Sequence, residues 1–223
     1  MNKKVAMLFF GISDTTNSCI PSNITLHYEE SFDNYKKYLF SYFLDLGYDI
    51  DTYISSYDST KKEKIISDYK PVKYIFLKNN LESSLIGRNT HFRNVIKLCL
   101  DSSNNYDMVV ITRCDLLFQN NFKIYKFNFN LLNIPASANN LLCDNFYILP
   151  FNKLELFYRI ALNNKQTLYH FMKQKFESNF GNCNYFASKN KKFYKINRKK
   201  KINGLINHNI SCVVCNMMNQ LCR

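Results

Sequence analysis

Thr112-Arg113-Cys114-Asp115 closes the most strongly apolar extended run of the chain, Tyr106 to Thr112, and is the segment best placed to do chemistry. A carboxylate at the end of a buried strand carries a desolvation cost unless something satisfies it. Arg113, backbone N–H groups or a divalent cation could do so, and a solvated turn would remove the need. If the partner is a metal, the oxygen donors of Asp115 favour magnesium or manganese, ions that bridge phosphate oxygens. A second loop, Gly11-Ile12-Ser13-Asp14, leaves the first apolar run, and Gly11 permits close backbone approach to a ligand.

These segments need a scaffold, and the hydrophobic pattern supplies one. Lys4 to Phe10 is a continuous apolar run, the kind buried on both faces of a parallel sheet. Glu30 to Leu46 carries Phe32, Tyr35, Leu39, Phe40, Phe43 and Leu46 near helical spacing, with Gly47 as a stop. Tyr48 to Tyr57 alternates as a second strand, Ser59 to Tyr69 is a charged helix before Pro71, and Val72 to Leu77 is a third strand. Arg88 to Leu100 follows as a helix, then Tyr106 to Thr112. The βαβαβαβ order predicts an α/β fold with a mostly parallel sheet. In such sheets the ligand crevice lies beyond the carboxyl ends of the strands, where both loops fall. Asn145 to Leu149 adds a strand, with helices expected over Phe151 to about Leu162 and Leu168 to Phe176. Lys189 to Lys201 is strongly basic and is expected to be a surface tail. No internal repeat or Gly/Ser linker divides the chain, so one domain is expected over residues 1–223.

Among 223 residues, 30 Lys plus Arg face 17 Asp plus Glu, a formal charge of +13. The favoured Lys, Asn, Ile, Tyr and Phe have A- and T-rich codons, which explains much of the excess without an anionic partner. A nucleic-acid-binding protein is the alternative reading: the charge and the many Tyr and Phe residues suit it. Against it, no recognition helix, RNA-recognition or complete zinc-finger signature occurs, and the aromatic residues follow core patterns. No apolar run approaches the roughly 20 residues of a membrane span. The chain also lacks a Gly-rich Lys-Ser/Thr phosphate loop, a Gly-x-Ser-x-Gly turn and a dinucleotide fingerprint. Lys3-Lys4 before Val5–Phe10 has the outline of a signal peptide, but Gly11-Ile12-Ser13-Asp14 offers no convincing cleavage site, so a cytoplasmic protein is expected. Eight scattered cysteines suit mostly reduced thiols. His208, Cys212, Cys215 and Cys222 contain a single Cys-x-x-Cys, too little to assign zinc.

Tyr106-Asp107-Met108-Val109-Val110-Ile111-Thr112-Arg113-Cys114-Asp115-Leu116-Leu117-Phe118 resembles the YD-hydrophobic-TRxDxxF signature of a glycosyltransferase family of large DNA viruses and bacterial polysaccharide clusters. Phe9-Phe10-Gly11-Ile12-Ser13, Tyr69 to Tyr74, and Cys143-Asp144-Asn145-Phe146-Tyr147-Ile148 agree with it, and the resemblance covers approximately residues 3 to 160. It implies a GT-A-like fold: a nucleotide-sugar half over about 1–118, an acceptor half over about 119–188 and a basic tail over 189–223. The implied reaction moves a sugar from a UDP- or GDP-sugar to a hydroxyl of a glycan or glycoprotein.

The resemblance also implies roles. Asp115 matches the second Asp of the family's Asp-x-Asp metal motif, while Arg113 stands where the first would be and could neutralise phosphate or pair with Asp115. Manganese or magnesium is the implied cofactor, with His208 as a further ligand. Gly11, Ile12, Ser13 and Asp14 would approach the nucleotide. From position alone, Arg88 and Arg93, with Asn89 and His91 at a helix start, are candidates to meet the diphosphate, a solvated first turn being the alternative. Asp144 is the candidate for binding or deprotonating the acceptor hydroxyl, and Asp115 is the other catalytic candidate. Glu155 and Glu177 are weaker ones.

Overall fold

A computed structural model describes residues 2–14, 24–78, 84–135, 137–138, 141–143, 145–162, 173–187, 193–197, 199–202 and 205–207. Strand β1 (Lys3–Gly11) exposes its two lysines and buries the rest. A short β2 (Ile24–Thr25) precedes α1 (Tyr28–Tyr35), a π-helical turn at Lys36–Phe40, and α2 (Ser41–Asp45). The expected single helix is therefore interrupted. Ser41 Oγ donates to the Lys37 carbonyl at 2.6 Å within this stretch, the local competition that bends helices. Gly47, at φ +79°, ends the helix as expected.

The alternation continues with β3 (Tyr48–Tyr57), α3 (Lys62–Tyr69), β4 (Lys73–Leu77), α4 (Ser84–Leu100) and β5 (Met108–Arg113). Lys70, at φ 45°, closes α3 just before Pro71. The second half holds β6 (Leu116–Phe118), β7 (Leu132–Ile134), β8 (Ser137–Ala138), β9 (Leu141–Leu142) and β10 (Phe146–Pro150). It continues with α5 (Leu154–Leu162), α6 (Lys173–Phe180), β11 (Cys183–Tyr185), β12 (Tyr194–Ile196), β13 (Lys199–Ile202) and β14 (Leu205–Asn207).

Seven strands form the central sheet in the order β11-β7-β10-β5-β1-β3-β4. β5, β1, β3 and β4 run parallel, and β10 is inserted antiparallel between β5 and β7. Both faces are covered, which is why β1 is apolar throughout. Phe9 points to one face, against Tyr35 at 5.2 Å and Tyr69 at 4.9 Å; Phe10 points to the other, against Phe92 at 5.0 Å. The fold class is therefore α/β, with a mostly parallel sheet flanked by helices. Among the described residues no helix is long and apolar enough to cross a membrane.

The basic segment from Lys189 departs from its expected surface role. Phe193, Tyr194, Ile196 and Asn197 are buried, and β12 pairs antiparallel with β6. Phe193 enters an aromatic cluster with Phe118, Phe146 and Phe186 at centroid distances of 5.2, 5.0 and 4.9 Å. Tyr194 and Ile196 bury while Lys195 between them is exposed. This alternation lets a Lys-rich segment supply a half-buried strand. Cys99, Cys114 and Cys143 are buried and Cys183 is half-buried. Cys19, Cys212, Cys215 and Cys222 lie outside the described residues.

Candidate active site

From β1 the chain moves to β3 and β4 on one side, then returns through α4 to β5 on the other. The sheet's topological switch thus lies between β1 and β5, and crevices open at the carboxyl ends of strands at such points. Phe10 and Arg113 are register partners there, and the Cys114 N–H donates to the Phe10 carbonyl at 2.9 Å. The two loops singled out from the sequence therefore leave adjacent strands on the same edge.

Asp115 is fully buried, and both its oxygens accept from one guanidinium. Arg113 Nε reaches Oδ1 at 2.6 Å and Nη2 reaches Oδ2 at 2.6 Å. Pairing with Arg113 is one of the outcomes the sequence left open for this carboxylate. Such a bidentate fork fixes orientation as well as charge. Arg113 Nη1 also donates to Asn145 Oδ1 at 3.4 Å, and Asn145 Nδ2 donates to the Tyr194 hydroxyl at 2.8 Å. Cys143 Sγ lies 2.8 Å from the same hydroxyl. The Tyr35 hydroxyl donates to the Arg113 carbonyl at 2.6 Å and accepts from the Leu116 N–H at 2.9 Å. Burial holds Tyr35 well above the usual phenol range, so it stays a donor. Burial also pushes the Cys114 thiol up, with the Asp115 charge adding to the effect, which leaves it a poor nucleophile. On the far side, the Asn197 N–H donates to the Asp115 carbonyl at 2.7 Å.

The loop after β1 is clamped to the end of β3. Gly11 has φ +95°, a region that favours glycine. Ser13 N–H donates to Ser56 Oγ at 3.2 Å, and the two hydroxyls lie 2.7 Å apart. Ile12 is half-buried. Asp14 is buried, with Lys61 Nζ at 3.5 Å, and the same ammonium bonds Glu29 at 2.9 and 3.1 Å. The Glu29 hydrogen bond, partly opposed by burial and aided by Asp14, raises the Lys61 pKa. Burial pushes the Glu29 carboxyl up, but the Lys61 hydrogen bond and the backbone outweigh it and the net shift is down.

Arg88 and Arg93 separate. Helix α4 begins at Ser84, four residues before the expected start, so Arg88 lies in its second turn, where backbone N–H groups bond within the helix. The anion-binding argument from a helix N-terminus therefore fails for Arg88 to Arg93. The Arg88 guanidinium carbon nevertheless lies 5.8 Å from the ring centroid of Phe10, the register partner of Arg113. Arg93, five residues on, is turned by roughly 140° around α4 and does not share that direction. Sequence reasoning gave His91 no role of its own. It is fully buried, with Nδ1 3.0 Å from Ser55 Oγ, its ring 4.3 Å from Tyr57, and Nε2 without a hydrogen-bond partner. Burial lowers its pKa to about 4, so the ring is neutral near pH 7.

Asp144 and His208 lie outside the described residues. Glu155 pairs with Arg159 on an exposed face, and Glu177 accepts from the Tyr185 hydroxyl at 3.1 Å. No group of three or more metal-ligating side chains occurs among the described residues. Magnesium takes near-octahedral oxygen coordination, whereas the two buried carboxylates among the described residues here already face cations, Asp115 the Arg113 guanidinium and Asp14 the Lys61 ammonium. In this arrangement they do not fit a divalent ion.

No protein-family model and no curated protein matches the chain. Solved structures show distant likenesses. A glycosyltransferase involved in glycosylation of the major capsid of PBCV-1 is 9% identical, with 83% of each chain covered and a TM-score of 0.44. A 4-diphosphocytidyl-2C-methyl-D-erythritol synthase is 10% identical over 84% of this chain and 91% of its own, with a TM-score of 0.43. The galactosyltransferase LgtC with donor and acceptor sugar analogs is 9% identical over 82% and 72%, with a TM-score of 0.42. Likenesses this remote say nothing about substrate or chemistry.

Proposed function

We propose that the chain is a glycosyltransferase of GT-A type that moves a sugar from a UDP- or GDP-sugar to a hydroxyl of a glycan or glycoprotein in the cytoplasm. The observation that carries this reading is the Arg113–Asp115 fork at the switch between β1 and β5, within the segment that resembles the family signature. A nucleotide-sugar donor needs cationic donors for the departing diphosphate, and Arg113, with Arg88 over Phe10, supplies them. Asp115 holds Arg113 in place. The Gly11–Asp14 loop, fastened by Ser56 and Lys61, faces the nucleotide. Asp144 keeps the role of base or anchor toward the acceptor hydroxyl. The core positions of Phe118, Phe122, Phe146 and Tyr147 remove those rings from any base-stacking surface and weigh against nucleic-acid binding.

The test is a screen of nucleotide sugars for transfer or slow hydrolysis, with and without manganese, on the wild type and on Asp115→Asn. The expected result is turnover of at least one donor and a loss of at least about 100-fold in the variant, because misplacing a positioned group by about 1 Å costs that much. Unchanged turnover in Asp115→Asn removes the pair from the mechanism. Thermal stabilisation by a polynucleotide alone, with no effect of nucleoside diphosphates, overturns the reading.

A further inference from the structure

We infer that the chain binds a nucleoside diphosphate without a divalent cation, the Arg113 guanidinium standing in the place where a metal would otherwise meet the phosphates. This rests on the nucleotide-sugar reading above and adds to it the nature of the charge that the diphosphate meets. A metal at the switch point would need several oxygen donors from the strand ends. Among the described residues the two buried carboxylates at these strand ends already face cations: Asp115 meets Nε and Nη2 of the fork, one on each oxygen, and Asp14 has Lys61 Nζ at 3.5 Å.

The pair has a direction. The Asp115 side chain is 0% exposed and that of Arg113 is 13% exposed, so the positive member is the outer one. Its orientation is fixed from two sides: by Asp115 beneath, and by Asn145, which is itself held by the Tyr194 hydroxyl. The backbone is held as well, through Tyr35 on the Arg113 carbonyl. A guanidinium fixed in this way needs no reorganisation when charge develops on a leaving diphosphate. Its planar fork suits phosphate oxygens better than an ammonium does. Arg88 brings a second cation to the neighbouring strand, its guanidinium carbon 5.8 Å from the ring centroid of Phe10.

Calorimetric titration of the full chain with UDP and with GDP, in EDTA and in manganese chloride, tests this. Wild-type dissociation constants should agree within about threefold between the two buffers. Arg113→Lys, which keeps the charge but loses the fork, should weaken binding at least about tenfold in EDTA. Arg113→Asp leaves two carboxylates one residue apart; if its circular dichroism matches the wild type, its binding should vanish in EDTA and return with manganese. Wild-type binding that requires manganese overturns this inference and leaves the proposed function standing. Binding in EDTA that Arg113→Lys does not weaken overturns the assignment to Arg113. An absence of UDP and GDP binding in both buffers overturns both readings.

Discussion

Removing Arg113 while keeping Asp115 should be among the most damaging single changes in this chain. In Arg113→Met the carboxylate, 0% exposed, loses the group that satisfies both oxygens. Leaving a buried charge without its partner costs about 3–5 kcal/mol, a large share of the roughly 5–15 kcal/mol that holds a domain together. The reverse change is milder. Asp115→Asn leaves a guanidinium that already touches solvent and Asn145, so about 1–3 kcal/mol is expected. The loss in Arg113→Met should also shrink as the pH falls, because the stranded carboxyl can shed its charge only by taking up a proton. Urea unfolding at pH 7 and pH 5 reads all three quantities. With no Trp and 16 Tyr, tyrosine fluorescence and circular dichroism are the natural probes. An Arg113→Met no less stable than Asp115→Asn, or a deficit equal at both pH values, would refute the buried-pair argument.

Two further outcomes follow from the same geometry. His91 titrates near 4 in the fold against an ordinary 6.5, so between these values the unfolded chain holds more protons and stability falls as the pH is lowered. The full shift corresponds to about 3 kcal/mol; His91→Gln should remove that part of the slope, and parallel wild-type and variant profiles between pH 7 and 4 would contradict it. Tyr194→Phe deletes the oxygen that accepts from Asn145 and lies beside Cys143, and should cost about 1–3 kcal/mol in thermal unfolding. An unchanged midpoint would mean that Tyr194 does not anchor Asn145.

The alternation of strands and helices was readable because a parallel strand covered on both faces is a continuous apolar run, as Val5–Phe10 and Met108–Ile111 are. The ends of those strands were readable for the same reason, since they fall where the runs stop. Strand direction was not: nothing in the pattern of Phe146–Pro150 tells an antiparallel insertion from a parallel neighbour. The start of α4 was placed late, at a conspicuous Arg88, although helix geometry sets the boundary at Ser84. Ser55 and Ser56 went unmarked because small hydroxyls in a strand look like solvent-facing positions, whereas here they are buried and bonded across elements, Ser56 to Ser13 and Ser55 to His91. The Phe193–Asn197 segment was obscured by surrounding lysines, although Phe-Tyr-Lys-Ile carries the period-two signal of a strand.

Asn197 ties distant stretches of chain into one knot. Its backbone N–H holds the Asp115 carbonyl, and its side chain donates to the His27 carbonyl, 170 positions earlier, and to Ser31. A ribosome releases these parts in order, so β1, β3, β4 and β5 can assemble while the floor of the crevice is still missing its last support. Long-range closures of this kind come late and slow the folding reaction. The newborn chain therefore has a sheet well before it has a site. The Asp115 carbonyl gains its bond from Asn197 only when residue 197 emerges.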